Sequence, residues 1–393
     1  MSNVTSWEQR VSPVVRKMPP SGIRRFFDMV AEMKGVISLG VGEPDFVTPW
    51  SIRESCIFSL EKGKTMYTSN HGLLELREAI AQNIYEDSKV VYQPRDEIVI
   101  TVGVSEGMDL AMRAILTPGD EVIIPEPCYV SYQACTLLAG GVPVSVVTKA
   151  ENEFRLTPEQ LEAAITPKTK AVILAYPSNP TGAIMTRADL EALAKVIEKH
   201  DLIVISDEIY DKLTYEGEHT CFASLPGMKD RTILLNGFSK AYAMTGWRIG
   251  YACGNKDFIS AMVKIHQYTM LCAPITAQNA ALEALKNGRA AMEDMVKQYD
   301  QRRKLILHGL RQIGLDCFEP KGAFYIFPSI AKTGLSEEDF AEELLKEAGV
   351  ALVPGTAFGA AGKGHVRCSY ASSVKNINEA LERIGNFVAK RIG

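Results

Sequence analysis

From about Asp96 to Gly254 the chain repeats one pattern: a short run in which nearly every position is apolar, then a stretch of helix length with mixed polarity. The runs cover residues 97–102, 121–124, 142–147, 171–175, 202–205, 232–235 and 248–253. Strands that are apolar at consecutive positions, not alternate ones, must be covered on both faces, and helix-length connections bring each back in the same direction. The pattern therefore predicts an α/β fold whose large domain is built on a mostly parallel sheet covered by helices. Beyond residue 289 it changes to a long amphipathic helix at 290–313, strand-like segments at 324–327, 351–353 and 365–370, and helices at 337–348 and the terminus. Helices beside a few short strands predict a smaller α+β domain. The expected division is an N-terminal arm and part of the small domain at 1–47, the large domain at 48–289 and the small domain at 290–393. The arm, with the loop 40–49, is expected to join the small lobe.

Composition narrows the function classes. The chain has 393 residues, 46% of them hydrophobic, enough for a large core. Its net charge of −4, from 43 basic and 47 acidic residues, comes with no basic block able to follow a nucleic-acid backbone. The eight cysteines show no CxxC spacing and several lie in apolar runs, as reduced core residues do, and the six histidines have no metal-ligand spacing. No signal-type segment opens the chain and no run approaches bilayer-spanning length. A soluble, cytoplasmic protein without a bound metal, nucleic acid or membrane is expected.

Candidate chemistry begins with Lys240 and Arg248 in NGFSKAYAMTGWRIG, residues 236–250, since residues 232–254 contain no other charged side chain. A lysine in an apolar setting near another cation loses proton affinity and becomes an amine nucleophile able to condense with an aldehyde. An arginine fork suits a phosphate. Aldehyde and phosphate on one ring describe pyridoxal phosphate. Asp207 and Glu208, in SDEIY at 206–210, follow the run 202–205; they read either as a helix cap or as a carboxylate held against a protonated ring nitrogen. The turn YPSNPTG at 176–182 ends another run. In TVGVSEG, 101–107, a small-residue turn leads to a helix pattern at 108–116, and free N–H groups at such a start can cradle phosphate. Arg367, alternating with apolar neighbours in HVRCSY, offers a fork to a carboxylate.

With these motifs the chain resembles the class I/II pyridoxal-phosphate-dependent aminotransferases. The likeness runs from SGIRRF at Ser21 through GEPDF, NPTG and the Lys240 run to GAFYIFP at Gly322 and VPG at Val353, in the family order. It implies the fold type I architecture and a set of roles. Lys240 is the covalent anchor and proton carrier, and Asp207 keeps the pyridine nitrogen protonated. Tyr210 and Asn179 bond to the cofactor's phenolic oxygen, and Tyr129 stacks on the ring. The backbones of Val104 and Ser105, the Ser105 hydroxyl and Arg248 hold the phosphate. Arg367, Asn179 and the N–H of Gly40 receive the substrate carboxylate. Tyr67 aligns with a tyrosine that reaches a partner subunit's phosphate, which implies a homodimer with sites at the interface. One departure is Gly237, where many members carry serine; Ser239 is the candidate replacement, and cofactor affinity is the property concerned.

The implied reaction is a ping-pong transamination from an L-amino acid (alanine, aromatic or aspartate-like) to a 2-oxo acid, 2-oxoglutarate. Two alternatives stay open on sequence: β-elimination from a sulfur amino acid, which would use Lys240, Asp207 and Arg367 equally, and a cofactor-binding sensor without catalysis. Sensors of this fold carry an added DNA-binding domain, and only a short arm precedes the family core here. By family position the substrate side chain is expected against residues 21–23, Tyr268, Met270 and Leu271, with no arginine in 267–274. That composition favours small apolar or aromatic amino acids.

Overall fold

The computed structural model describes residues 7–18, 33 and 35–392. The seven apolar runs form one sheet of seven strands: β1 (Ile98–Thr101), β2 (Glu121–Glu126), β3 (Val142–Val147), β4 (Thr169–Leu174), β5 (Ile203–Asp207), β6 (Thr232–Gly237) and β7 (Gly250–Cys253). Their order is β1-β7-β6-β5-β4-β2-β3. Every pairing is parallel except those of β7, which runs antiparallel to both β1 and β6. The predicted α/β class and mostly parallel sheet are therefore observed.

Consecutive apolar residues are needed because each strand feeds a core on both faces. Ile173, Ile205 and Ile233 pack with Met108, Met112 and Ile259, from the helices Gly103–Ile115 and Lys256–Thr269. Their neighbours Val172, Leu174 and Val204 pack oppositely with Leu190, Leu193 and Ile197 of the helix Arg187–Lys199. That helix and Pro158–Ala164 both begin at threonine capping boxes, Thr186 with Asp189 and Thr157 with Gln160, which fix where the chain leaves each loop.

The C-terminal part is organised by the 24-residue helix Arg289–Gln312 and by Tyr325–Ile326, Val353–Pro354 and Val366–Ser369, with Val366–Ser369 central and antiparallel to both neighbours. The expected strand at 351–353 is instead two short ones: Val350–Ala351 pairs in parallel with Ile37–Ser38, and Val353–Pro354 joins the other ladder. Thus Ile37–Ser38 lies against the C-terminal part while the following loop crosses toward Lys240. Among the described residues no helix is long and apolar enough to cross a membrane.

Candidate active site

The parallel strands end at one edge, and the candidate residues sit at or just beyond those ends. Asp207 closes β5, Asn179 follows β4, Tyr129 follows β2 and Lys240 follows β6. Val104 and Ser105 follow β1. The expected helix start at 108 moves earlier, because the chain turns directly into the helix at Gly103. Arg248 arrives by a different route. Since β7 is antiparallel, its first residue, Gly250, pairs with the last residues of β1 and β6, Thr101 and Gly237, so the segment before it comes to the same edge. These groups line a cleft of about 580 Å³ together with Tyr210, Ser239, Tyr325 and Arg367.

Lys240 is part-buried and donates from Nζ to the carbonyl of Gly42 at 2.8 Å. Its nitrogen lies 5.7 Å from the ring centre of Phe324 and 5.9 Å from that of Tyr210. Burial lowers its pKa to about 8; Arg367 and Arg248 push the same way, against Glu43 and Asp207. A substantial neutral fraction is then present near neutral pH, as an amine nucleophile requires.

Asp207 is 6% exposed, and burial raises its pKa to about 6, in spite of a hydrogen bond from the Tyr132 hydroxyl at 2.8 Å and another from the Ile209 N–H at 3.2 Å. A carboxylate in this position gains most from a cation brought into the cleft. Glu208, its neighbour, points elsewhere: its oxygens meet Ser206 Oγ at 2.9 Å, the Phe222 N–H at 3.0 Å and His219 Nε2 at 2.7 Å. Only Asp207 of the acid pair lines the cleft.

Arg367 is buried beneath the cleft, held between the rings of Tyr325 and Phe358 at 4.5 and 4.7 Å. It donates to Asn179 Oδ1 at 2.9 Å and to the Gly40 carbonyl at 2.5 Å. Its Nε has no partner among the described residues, and burial lowers its pKa. The Gly40 carbonyl faces the guanidinium, and the Gly40 N–H lies 3.4 Å from Ser38 Oγ.

Tyr210 is buried, and its hydroxyl meets that of Tyr325 at 2.8 Å. Arg248, exposed, bonds only to the Thr245 carbonyl at 2.9 Å and forms no ion pair among the described residues. Gly103, at φ +75°, faces it so closely that a Cβ there would lie 2.7 Å from the guanidinium. Gly237 has an equally local reason: a Cβ would fall 2.9 Å from the Gly250 Cα and 3.0 Å from the Ile249 carbonyl, so this pair of strands leaves no room for a serine. Ser239 is buried on the cleft wall.

Tyr67, expected to reach a partner subunit's phosphate, is 83% exposed and outside the cleft of its own chain; Tyr268, Met270 and Leu271, expected against the substrate side chain, are also exposed and do not line that cleft, and residues 21–23 fall outside the described residues. Sequence reasoning missed Tyr132, Tyr325 and Glu43. Tyr132 carried the one available signal, a tyrosine three residues after Tyr129 and therefore close to the same strand end.

The donor set fits pyridoxal phosphate. An anion has the helix start Gly103–Val104–Ser105, which no side chain caps, and Arg248 without an acid. A ring nitrogen has Asp207, an aldehyde has Lys240, and a phenolic oxygen has Tyr210 and Asn179.

Residues 34–384 match the family described as aminotransferase class I and II. The chain is 53% identical to a putative aminotransferase of Bacillus subtilis over 97% of its own length and 98% of the relative's. It is 48% identical to an aspartate aminotransferase of Pyrococcus abyssi, covering 93% and 95%. The solved aromatic aminotransferase of Pyrococcus horikoshii superposes with a TM-score of 0.90 at 47% identity, covering 93% of this chain and 99% of that one.

Proposed function

The chain belongs to the class I and II aminotransferases and is a pyridoxal-phosphate-dependent amino-acid transaminase; within that family we propose that it moves the amino group of an apolar or aromatic L-amino acid to 2-oxoglutarate by a ping-pong route. The observation that carries this choice is the composition of the cleft. Among the described residues its cations are Lys240, Arg248 and Arg367, and the rest of its wall includes Val41, Met108, Tyr129 and Ile209. One fork is then available for an α-carboxylate, and no further cation among the described residues is left for a second carboxylate. The relatives include both an aspartate and an aromatic aminotransferase, so family membership alone does not decide between donors.

Arg367 would take the α-carboxylate as a bidentate pair, gaining the acid that this buried cation lacks, with Asn179 and the rings of Tyr325 and Phe358 fixing its plane. When bound, pyridoxal phosphate supplies an aldehyde that receives the amino group and a ring that withdraws electrons from the substrate's α-carbon. Asp207 would hold a proton at the ring nitrogen, Tyr210 and Asn179 would fix the phenolic oxygen, Tyr129 would stack, and Val104, Ser105, Ser239 and Arg248 would hold the phosphate. Lys240, with a pKa near 8, is both anchor and carrier of the α-proton.

The same proposal includes a cytoplasmic homodimer serving amino-acid biosynthesis, with a large cofactor-bearing domain at 48–289, a small domain at 290–393, and 1–47 as the arm and part of the small domain. A partner supports the otherwise unexplained exposure of Met66 and Tyr67 beside Tyr268 and Met270; the Asn70 side chain joins these segments by a bond to the Leu271 carbonyl at 2.7 Å. Tyr67 would then reach the partner's phosphate.

The test is a kcat/KM series for phenylalanine, tyrosine, alanine, aspartate and glutamate, with 2-oxoglutarate as acceptor for all but glutamate. Phenylalanine or alanine should exceed aspartate by about tenfold or more, the scale of one unmatched polar group in an apolar site. Aspartate as the best donor would contradict the proposal.

A further inference from the structure

Glu106 stands in the first turn of the helix Gly103–Ile115, beside the residues assigned above to the phosphate. A carboxylate near a helix start is favourable to the helix but repels an anion bound there. Its two oxygens show how that conflict is managed. One accepts the N–H of Val102 at 2.5 Å, and the other meets Nδ1 of His266 at 2.7 Å. His266 comes from a different helix, Lys256–Thr269, and its side chain has no exposure to solvent. The bond to the Val102 N–H closes the helix start in the manner of a capping box, whereas the contact with His266 ties that start to a second helix.

The segment they grip is fixed from other sides as well. Thr101 Oγ1 donates to the Gly103 carbonyl at 2.9 Å, and the backbone of Gly250 approaches so closely that a Cβ there would lie 2.8 Å from the Val104 nitrogen. Glu106 supplies the remaining restraint, on Val102, the residue that enters the turn. Its carboxylate is committed to Val102 and His266.

We propose that Glu106 and His266 are positioning residues for the cofactor's phosphate: the pair holds Val102–Val104 in the conformation that leaves the Val104 and Ser105 N–H groups free, and keeps the Glu106 charge turned from the anion. The inference rests on the reading that phosphate is held at this helix start. It gives the pair no part in proton transfer.

The test compares the affinity of cofactor-free full-length protein for pyridoxal phosphate and for pyridoxal, which lacks the phosphate, by fluorescence titration. In Glu106→Ala the preference for the phosphorylated form should fall roughly tenfold, the equivalent of one positioned hydrogen bond, with pyridoxal affinity nearly unchanged. His266→Ala should shift it in the same direction. Glu106→Gln, which keeps an acceptor for Val102, should restore most of the preference, and guards against a variant that merely folds poorly. Equal loss for both ligands would mark a general structural role and overturn the inference, as would an unchanged preference. A wild-type protein that binds both ligands equally, with no effect of Arg248→Ala, would instead overturn the phosphate site itself.

Discussion

Arg303 and Arg367 are withdrawn from solvent to the same degree, 1% and 2% exposed, yet their surroundings are opposite. Arg303, on the long helix Arg289–Gln312, donates to Asp300 at 2.8 Å, to Glu216 at 2.8 Å and to the Pro320 carbonyl at 2.9 Å, so all three of its nitrogens are engaged. Beside it Arg302 pairs with Asp45 at 2.6 Å. Arg367 has an amide, a carbonyl and two aromatic rings, with no acid and one nitrogen idle among the described residues. A buried charge that is fully paired holds elements together. One left without a counter-charge is costly to the empty protein and gains when a group of opposite charge arrives. Lys240, Asp207 and Arg367 are all of the second kind, and they share one cleft.

The contrast predicts a separation of effects. Arg303→Ala should cost about 3 kcal/mol of stability, because it empties the space of a buried side chain and leaves the Pro320 carbonyl without its donor, the acids Asp300 and Glu216 being partly exposed, while substrate KM in the folded fraction stays close to wild type. Urea denaturation with parallel kinetics reads both; a stable variant with a raised KM would break the comparison. Next in size, Arg367→Ala should lower kcat/KM roughly 10²-fold, the worth of a charge-assisted bidentate contact, and should leave stability unchanged or raised. A strongly destabilised Arg367→Ala would show that its partners suffice for a structural role.

The smallest effect carries a sign. The folded pKa of Asp207, about 6, is raised above the ordinary value of 3.8, so the folded protein binds the extra proton and loses stability from this group as pH climbs between those values. Asp207→Asn removes that loss. The cofactor-free variant should equal wild type near pH 4 and exceed it above pH 6 by on the order of 2 kcal/mol, while transaminase activity falls. A variant less stable than wild type at pH 8 would contradict the assignment of Asp207 as an under-satisfied acid.

Some of this was legible in the sequence and some was not. The strands were, because residues such as Ile233–Leu235 of β6 are apolar at consecutive positions, and every residue of that strand is buried. The direction of β7 was not, since an apolar run looks the same in either sense, and it is the reversed strand that brings Arg248 to the site. The charged and motif-bearing residues Lys240, Asp207, Asn179 and Arg367 stood out by chemistry. Tyr132 and Tyr325 did not: an aromatic residue in an apolar run reads as packing until the fold shows where its hydroxyl ends. Gly40 shows the same limit at the backbone, where sequence names the residue but not which end of its peptide faces the site. Gly237 reads as a lost contact in sequence and as a requirement of the close pairing with Gly250 in three dimensions.

The most direct measurement is borohydride reduction of the protein loaded with pyridoxal phosphate, followed by peptide mass mapping. One phosphopyridoxyl group per chain is expected, on the peptide containing Lys240, and none after Lys240→Ala, with turnover lost in the same variant. Label spread over exposed lysines, or active protein in which Lys240 stays unmodified, would contradict it.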